Sequence, residues 1–469
     1  MRGIKATFAT MAGLVGTFAA SAQAADYYVS PTGAAAWAQC TNINTPCSWQ
    51  TAMANAVADD VVFFRGGTYD LGTFTNNTGN MKDTKMYPAH SGTPGHPITF
   101  IAQLGETPDV TGTVTETSQQ AWFGCGGKDD AENRDYITWD GFSATMKVNN
   151  VNGVGAETAI FRVAGDHCTI RNSRFTGVDV GNWNHNTAFV RIETATNATI
   201  ENNYFRDLLS ASYSAVNTAA IYFNMLSNGT TVKNNTIENC EGGIYGKGNS
   251  ANVSIYNNFV FDTSGTALQG LWYTRSAATG ESVTTRKVHQ NIISGYAAAI
   301  HFEAGIPVTG SLIFNNTIYS ANDTYDGIFV DNLQTNTEVF NNIVVNRSPS
   351  LRYYDATVSY SDRNAFYRAA GNVWNRNYST DYTSLAAWTA ATGFDANSIT
   401  SDPLFVNAGG SNPEDYKLQV NSPARTGGRG GAYATVMGAY ITGDEVIGYS
   451  PTYVADALAP AAPTNLTVQ

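Results

Sequence analysis

Asparagine recurs in this chain where strand propensity alone should exclude it. Seven short stretches share one pattern: "TIRNSRF" (169–175), "TIENNYF" (199–205), "TVKNNTI" (231–237), "SIYNNFV" (254–260), "KVHQNII" (287–293), "LIFNNTI" (312–318) and "EVFNNIV" (338–344). Their fourth position holds Asn172, Asn202, Asn234, Asn257, Gln290, Asn315 and Asn341, at steps of 23 to 33 residues. "TWDGF" (138–142) reads as an earlier copy, with Gly141 in that position. Short alternating strands at such an irregular period, without helical stretches between them, predict the coils of a parallel β-helix. A single coil cannot bury its apolar face, so coils stack about 4.8 Å apart and equivalent residues form ladders. An asparagine at a coil corner tolerates the left-handed turn and can bond to the asparagines above and below.

A solenoid needs covered ends. "SWQTAMANAVADD" (48–60) places Trp49, Ala52, Met53, Ala56 and Val57 at helical spacing and predicts an N-terminal capping helix. "VVFFRGGTYD" (61–70) opens the first coil, and 350–450 read as irregular final coils and a C-terminal cap. The predicted fold is therefore an all-β solenoid, one domain over 25–450. Residues 451–469 are expected to form a tail or linker.

The start of the chain carries Arg2 and Lys5, a short apolar stretch and Ala22-Gln23-Ala24. This is the pattern of a cleaved export signal over 1–24, too short and too rich in small residues to span a bilayer. We expect a secreted protein, extracellular or periplasmic, monomeric, and without a membrane span after cleavage. Of five cysteines, Cys40 and Cys47 bracket a short loop and can pair. Cys125, Cys168 and Cys240 are scattered and are expected as buried small hydrophobes. A formal net charge of −12 argues against a nucleic-acid partner.

One strand per coil can be aligned by its alternation: 189–193, 220–224, 243–247, 267–271, 299–303 and 327–331. Val190, Ile221, Ile244, Leu268, Ile300 and Ile328 then point inward. Outward stand two columns. One is Arg191, Tyr222, Tyr245, Gln269, His301 and Phe329; the other is Glu193, Asn224, Lys247, Leu271, Glu303 and Asp331. Aromatic faces and convergent polar groups of this kind suit a glycan groove. β-Elimination on a uronate polymer needs a base, a group that neutralises the carboxylate, and an acid for the leaving oxygen. Lys247 is the candidate base. Arg191 or a bound Ca²⁺ held by Glu193, Glu303 and Asp331 is the candidate neutraliser. Tyr245 or His301 is the candidate acid, and Tyr222, Asn224, Gln269 and Arg275 are candidate substrate contacts. Two alternatives stay open: a glycoside hydrolase using Glu303 and Asp331, and a non-catalytic glycan-binding or structural β-helix.

"DYYVSPTG", "AMANAVADDVVFFRGGTY" and "SGTPGHPITFIAQLGETP" resemble the amino-terminal part of secreted right-handed parallel β-helix proteins of the pectate-lyase-like superfamily. "SDPLFVN", "DYKLQVNSPA" and "GAY" resemble their carboxy-terminal close. The resemblance implies a right-handed solenoid over nearly all of the mature chain and is less specific for activity. "IYGKGNSANVSIYNNFVFDTSGTALQ" is similar to the catalytic stretch of the alginate lyase and chondroitinase B family, in which a lysine base is followed one coil on by an arginine. Lys247 matches the lysine; Gln269 takes the place of the arginine, with Arg275 close by in sequence.

Overall fold

In this computed structural model the described residues are 26–451, apart from 75–82, 115–119, 128–131, 148–157, 179–186, 210–217, 225–226, 248–249, 266, 275–282, 304–307, 322–325, 332–333 and 355–356. The expected signal at 1–24 and nearly all of the expected tail lie outside them.

The chain winds through three long parallel sheets, so that each coil lends one strand to each sheet in turn. Among the described residues the first sheet has twelve strands, from Asp26–Val29 to Val358–Asp362. The second has eleven, from Gly67–Phe74 to Ala365–Tyr367. The third has twelve, opening with Asp83–Met86 and closing on an antiparallel hairpin of Trp374–Arg376 and Thr380–Tyr382. Inward β-branched and aromatic residues stack coil on coil. Ile200, Val232 and Ile255 do so on the first sheet, Phe205, Ile237 and Val260 on the second, and Val190, Ile221 and Ile244 on the third. All are buried in one core.

The repeated asparagine pair divides its work. The first member turns the corner: Asn172, Asn202, Asn234, Asn257, Gln290, Asn315 and Asn341 all have φ between 51° and 57°, the left-handed region that asparagine enters most readily after glycine. The second member builds the internal ladder. Asn203, Asn235, Asn258, Asn291, Asn316, Asn342 and Asn364 are buried. From Asn203 to Asn342, each side-chain amide and backbone N–H donates to the Oδ1 of the next coil at 2.9–3.2 Å. The corner asparagines were expected to carry this ladder. Among them only Asn202 to Asn172 and Asn341 to Asn315 bond directly. Arg363, with φ 57°, and Asn364 form a further copy not recognised in the sequence.

Helix α1 (Trp49–Asn55) plugs the N-terminal end; Ser48 Oγ accepts from Thr51 N, and Ala52 and Met53 are buried. The helix stops before Val57, which is exposed rather than packed. At the far end a second helix, α2 (Leu385–Thr392), was not expected. Ser384 caps it, Gly393 closes it in the left-handed conformation, and Trp388 is buried beneath it. Cys40 pairs with Cys47 as expected, whereas Cys125 and Cys168 are also paired, which corrects their reading as isolated thiols. The coil brings together two residues 43 apart in sequence. Cys240 is buried and free.

From Arg429 the chain runs back along the solenoid. Arg429 N and Ala434 O meet the Asn341 side chain, Val436 and Gly438 carbonyls accept from Asn315, Gly448 N donates to Asn257 O, and Ser450 N donates to Asn202 Oδ1. Tyr416, Met437, Ala439, Tyr440 and Ile447 cover an outward apolar strip of the second sheet that includes Phe259, Phe261, Ile292 and Ile343.

Candidate functional site

The outward face of the third sheet carries the expected columns, with one change of register. Successive coils pair Arg162, Arg191, Tyr222, Tyr245, Trp272, His301, Phe329 and Arg352. Trp272, not Gln269, stands between Tyr245 and His301; Gln269 pairs with Gly242 and Ala298. The strand 267–271 is therefore displaced by three residues from its expected alignment, and Leu271, not Leu268, fills the core position opposite Ile244. Leucines three residues apart offer the same core slot twice. Gly270 falls opposite Gly243, and Gly246 opposite Tyr273, so neither glycine supplies a side chain that would have set the register. In the second column Glu193, Asn224, Lys247 and Thr274 follow one another. Arg275, next in sequence, lies outside the described residues, as does the side chain of Asn224.

The first column is not the open floor that was expected. Arg191, Tyr222, Tyr245 and His301 are buried, at 2%, 0%, 4% and 7% exposure. Arg191 gives its guanidinium to Glu193, with Nε–Oε1 at 2.8 Å, and lies 5.2 Å from the centre of the Tyr222 ring. Arg162 reaches the other Glu193 oxygen at 3.2 Å. Tyr222 stacks on Tyr245 at 5.4 Å with the rings 6° from parallel. Trp272 and His301 are in contact at 3.6 Å between centroids, and His301 meets Phe329 edge-on at 4.1 Å. Burial, then the charge of Arg352, lowers the His301 pKa to about 3. At neutral pH the imidazole is therefore in its neutral form. Both of its nitrogens lack a partner among the described residues.

Lys247 ends the strand Gly242–Lys247 half-buried. Its side chain makes no hydrogen bond or ion pair to a described residue, although its backbone pairs in register with Asn224 and Thr274. Glu303 and Asp331 stand half-exposed on neighbouring coils, tied by Asp331 N donating to Phe302 O at 2.9 Å. The three carboxylates expected to hold Ca²⁺ do not fit one ion. Glu193 is taken by two arginines, and four coil steps, roughly 19 Å, separate it from Glu303. Among the described residues no three His, Cys, Asp or Glu side chains cluster as a metal site. No described helix is long and apolar enough to cross a membrane.

Residues 136–305 match the family model described as a right handed beta helix region. The crystal structure of the pectate lyase Pel9A is similar over 88% of this chain and 96% of that one, with 16% identity and a TM-score of 0.54. A rhamnogalacturonan lyase aligns over 85% and 96%, with 14% identity and a TM-score of 0.46. The PL6 family polysaccharide lyase Pedsa3628 from Pseudopedobacter saltans aligns over 80% and 94%, with 13% identity and a TM-score of 0.42. No curated protein matches the sequence. The fold is thus a right-handed parallel β-helix.

Proposed function

We propose that this protein is a secreted carbohydrate-active enzyme, a polysaccharide lyase that cleaves a uronic-acid-containing glycan by β-elimination with Lys247 as base. The observation that carries the reading is Lys247 itself. It is a half-buried lysine without a described partner, in a chain with 14% charged residues, on an aromatic-rich sheet face. The Pel9A structure, named as a pectate lyase, shares the fold, and the reading extends that class of activity to this chain.

In the step proposed, the Nζ of Lys247 takes the proton from C5 of the uronate. The C4–O bond breaks, a C4=C5 double bond forms, and the leaving oxygen takes a proton. Tyr245, two residues earlier on the same strand, is the proposed acid. Arg191 serves as a positioning group, because Glu193 and Tyr222 already engage it. The neutralising cation is assigned to Arg275, the residue after Lys247's register partner Thr274.

The test is ultraviolet absorbance of the unsaturated product. Protein beginning at Ala25 is incubated with polygalacturonate, alginate and chondroitin sulfate. Absorbance should rise on one of them and fall by about 10²–10⁴-fold in Lys247→Ala. An unchanged rate in that variant removes the lysine from the chemistry. A second reading follows from Glu303 and Asp331, whose adjacent coils set them about 4.8 Å apart along the axis, near the spacing of a retaining glycosidase. Reducing ends released without absorbance would favour it.

A further inference from the structure

The hairpin that closes the third sheet contains a residue the turn itself does not call for. Trp374–Arg376 and Thr380–Tyr382 pair antiparallel, and Ser379 N donates to Arg376 O at 3.1 Å. The two residues between, Asn377 and Tyr378, have φ 56° and 54°. Consecutive positive φ values mark a type I′ turn, whose second position normally holds glycine. Tyrosine there carries backbone strain that glycine would avoid. Strain held at a bulky residue points to a use for its side chain.

That side chain is 51% exposed. Its ring lies 4.3 Å from the Arg352 guanidinium and 5.3 and 5.4 Å from the rings of Tyr354 and Phe329. Arg352 pairs with Asp326 at 3.1 Å and keeps part of its side chain open to solvent. Its Nε finds no acceptor among the described residues, and neither ring nitrogen of His301, one coil beyond Phe329, finds a partner. A second arginine, Arg347, is buried nearby, and burial raises the Asp326 pKa to about 6. Arg352 therefore offers a partly exposed guanidinium to an anion in a protein of net charge −12.

We propose that Tyr378 and Arg352 form a remote subsite for an acidic glycan, which stacks a pyranose ring on Tyr378 and takes its carboxylate on Arg352. The inference rests on the glycan reading and extends it. Lys247 and Arg352 stand four coil steps apart, roughly 19 Å along the axis. The subsite therefore acts by holding a long chain, away from the bond being cleaved.

Binding is measured by calorimetry on the full chain carrying Lys247→Ala, so that no substrate is consumed. The probes are polygalacturonate and alginate oligomers of graded length, with laminarin as a neutral control. Adding Tyr378→Gly should weaken binding of long acidic oligomers about tenfold, leave the shortest unaffected, and leave Tm equal or higher, because glycine relieves the turn. Unchanged affinity overturns the subsite and leaves the lyase reading standing. A lower Tm in Tyr378→Gly shows that the ring serves only packing, and equal binding of laminarin removes the acidic assignment; either overturns the proposal. If the Lys247→Ala protein binds none of the acidic oligomers, the glycan reading fails and the subsite with it.

Discussion

Between Trp272 and Phe329 the imidazole of His301 is largely cut off from water, and its pKa falls to about 3. The unfolded chain binds that proton near pH 6.5, the native protein far lower. Stability from His301 is thus complete above pH 6.5 and is lost as pH falls toward 3. His289, stacked between Tyr256 and Phe314 and lowered to about 4 by burial, acts in the same direction. Asp326 opposes them. Its pKa is raised from 3.8 to about 6, so its contribution is complete below the lower value and is lost as pH rises through the upper. The histidine shifts are the larger, so we expect Tm to fall between pH 6.5 and 4. His301→Phe keeps a ring in the stack and removes the titration. It should flatten the slope and be the more stable protein at pH 5, by up to about 2 kcal/mol. Thermal unfolding from pH 4 to 8 checks this; a variant with the parental slope would show that His301 is hydrated.

At the scale of the strand and corner, the two asparagines of one pair should respond oppositely. Asn257 turns a corner at φ 54°, and its Oδ1 has no partner among the described residues. Asn257→Gly should change stability by less than about 1 kcal/mol. Asn258 donates to Val232 O, Tyr256 O and Asn291 Oδ1 and accepts from Asn235, all within the core. Asn258→Ala strands several buried polar groups at about 1–3 kcal/mol each, so a loss of at least about 3 kcal/mol is expected in urea unfolding. The period and the left-handed corners were legible in sequence, because an asparagine inside a strand pattern is conspicuous. Which member of the pair bonds through the core was not, since both are the same residue type. The columns of Arg191, Tyr222, Tyr245 and of Glu193, Asn224, Lys247 were legible from strict alternation. Alternation failed at 267–271, where glycine erases the pattern, and it carried no information on how deeply the column is buried. It therefore did not separate Lys247 from the clamped Arg191.

Across the whole molecule, a solenoid of neighbour-only contacts should unfold coil by coil from whichever end is weaker. The returning segment 429–450 changes that expectation. It bonds at Asn341, Asn315, Asn257 and Asn202, corners that span six coils, and buries apolar side chains over the second sheet. A coil beneath it cannot detach without losing contacts shared with coils that remain folded. The strap therefore raises cooperativity as well as stability. The outward residues of the second sheet agree with this role: Ser143 and Arg174 on the early coils are polar, whereas Phe259, Ile292 and Ile343 beneath the strap are apolar. A chain ending at Gly428 should uncover the part of that strip beneath Met437, Ala439, Tyr440 and Ile447, bind a hydrophobic dye, and replace one unfolding transition by two, with the coils from Phe259 to Ile343 melting first. Hydrogen exchange should locate the early loss of protection at Asn258, Asn291 and Asn316. Retention of a single transition, with protection of those amides unchanged, would show that the internal asparagine ladder couples the coils without help.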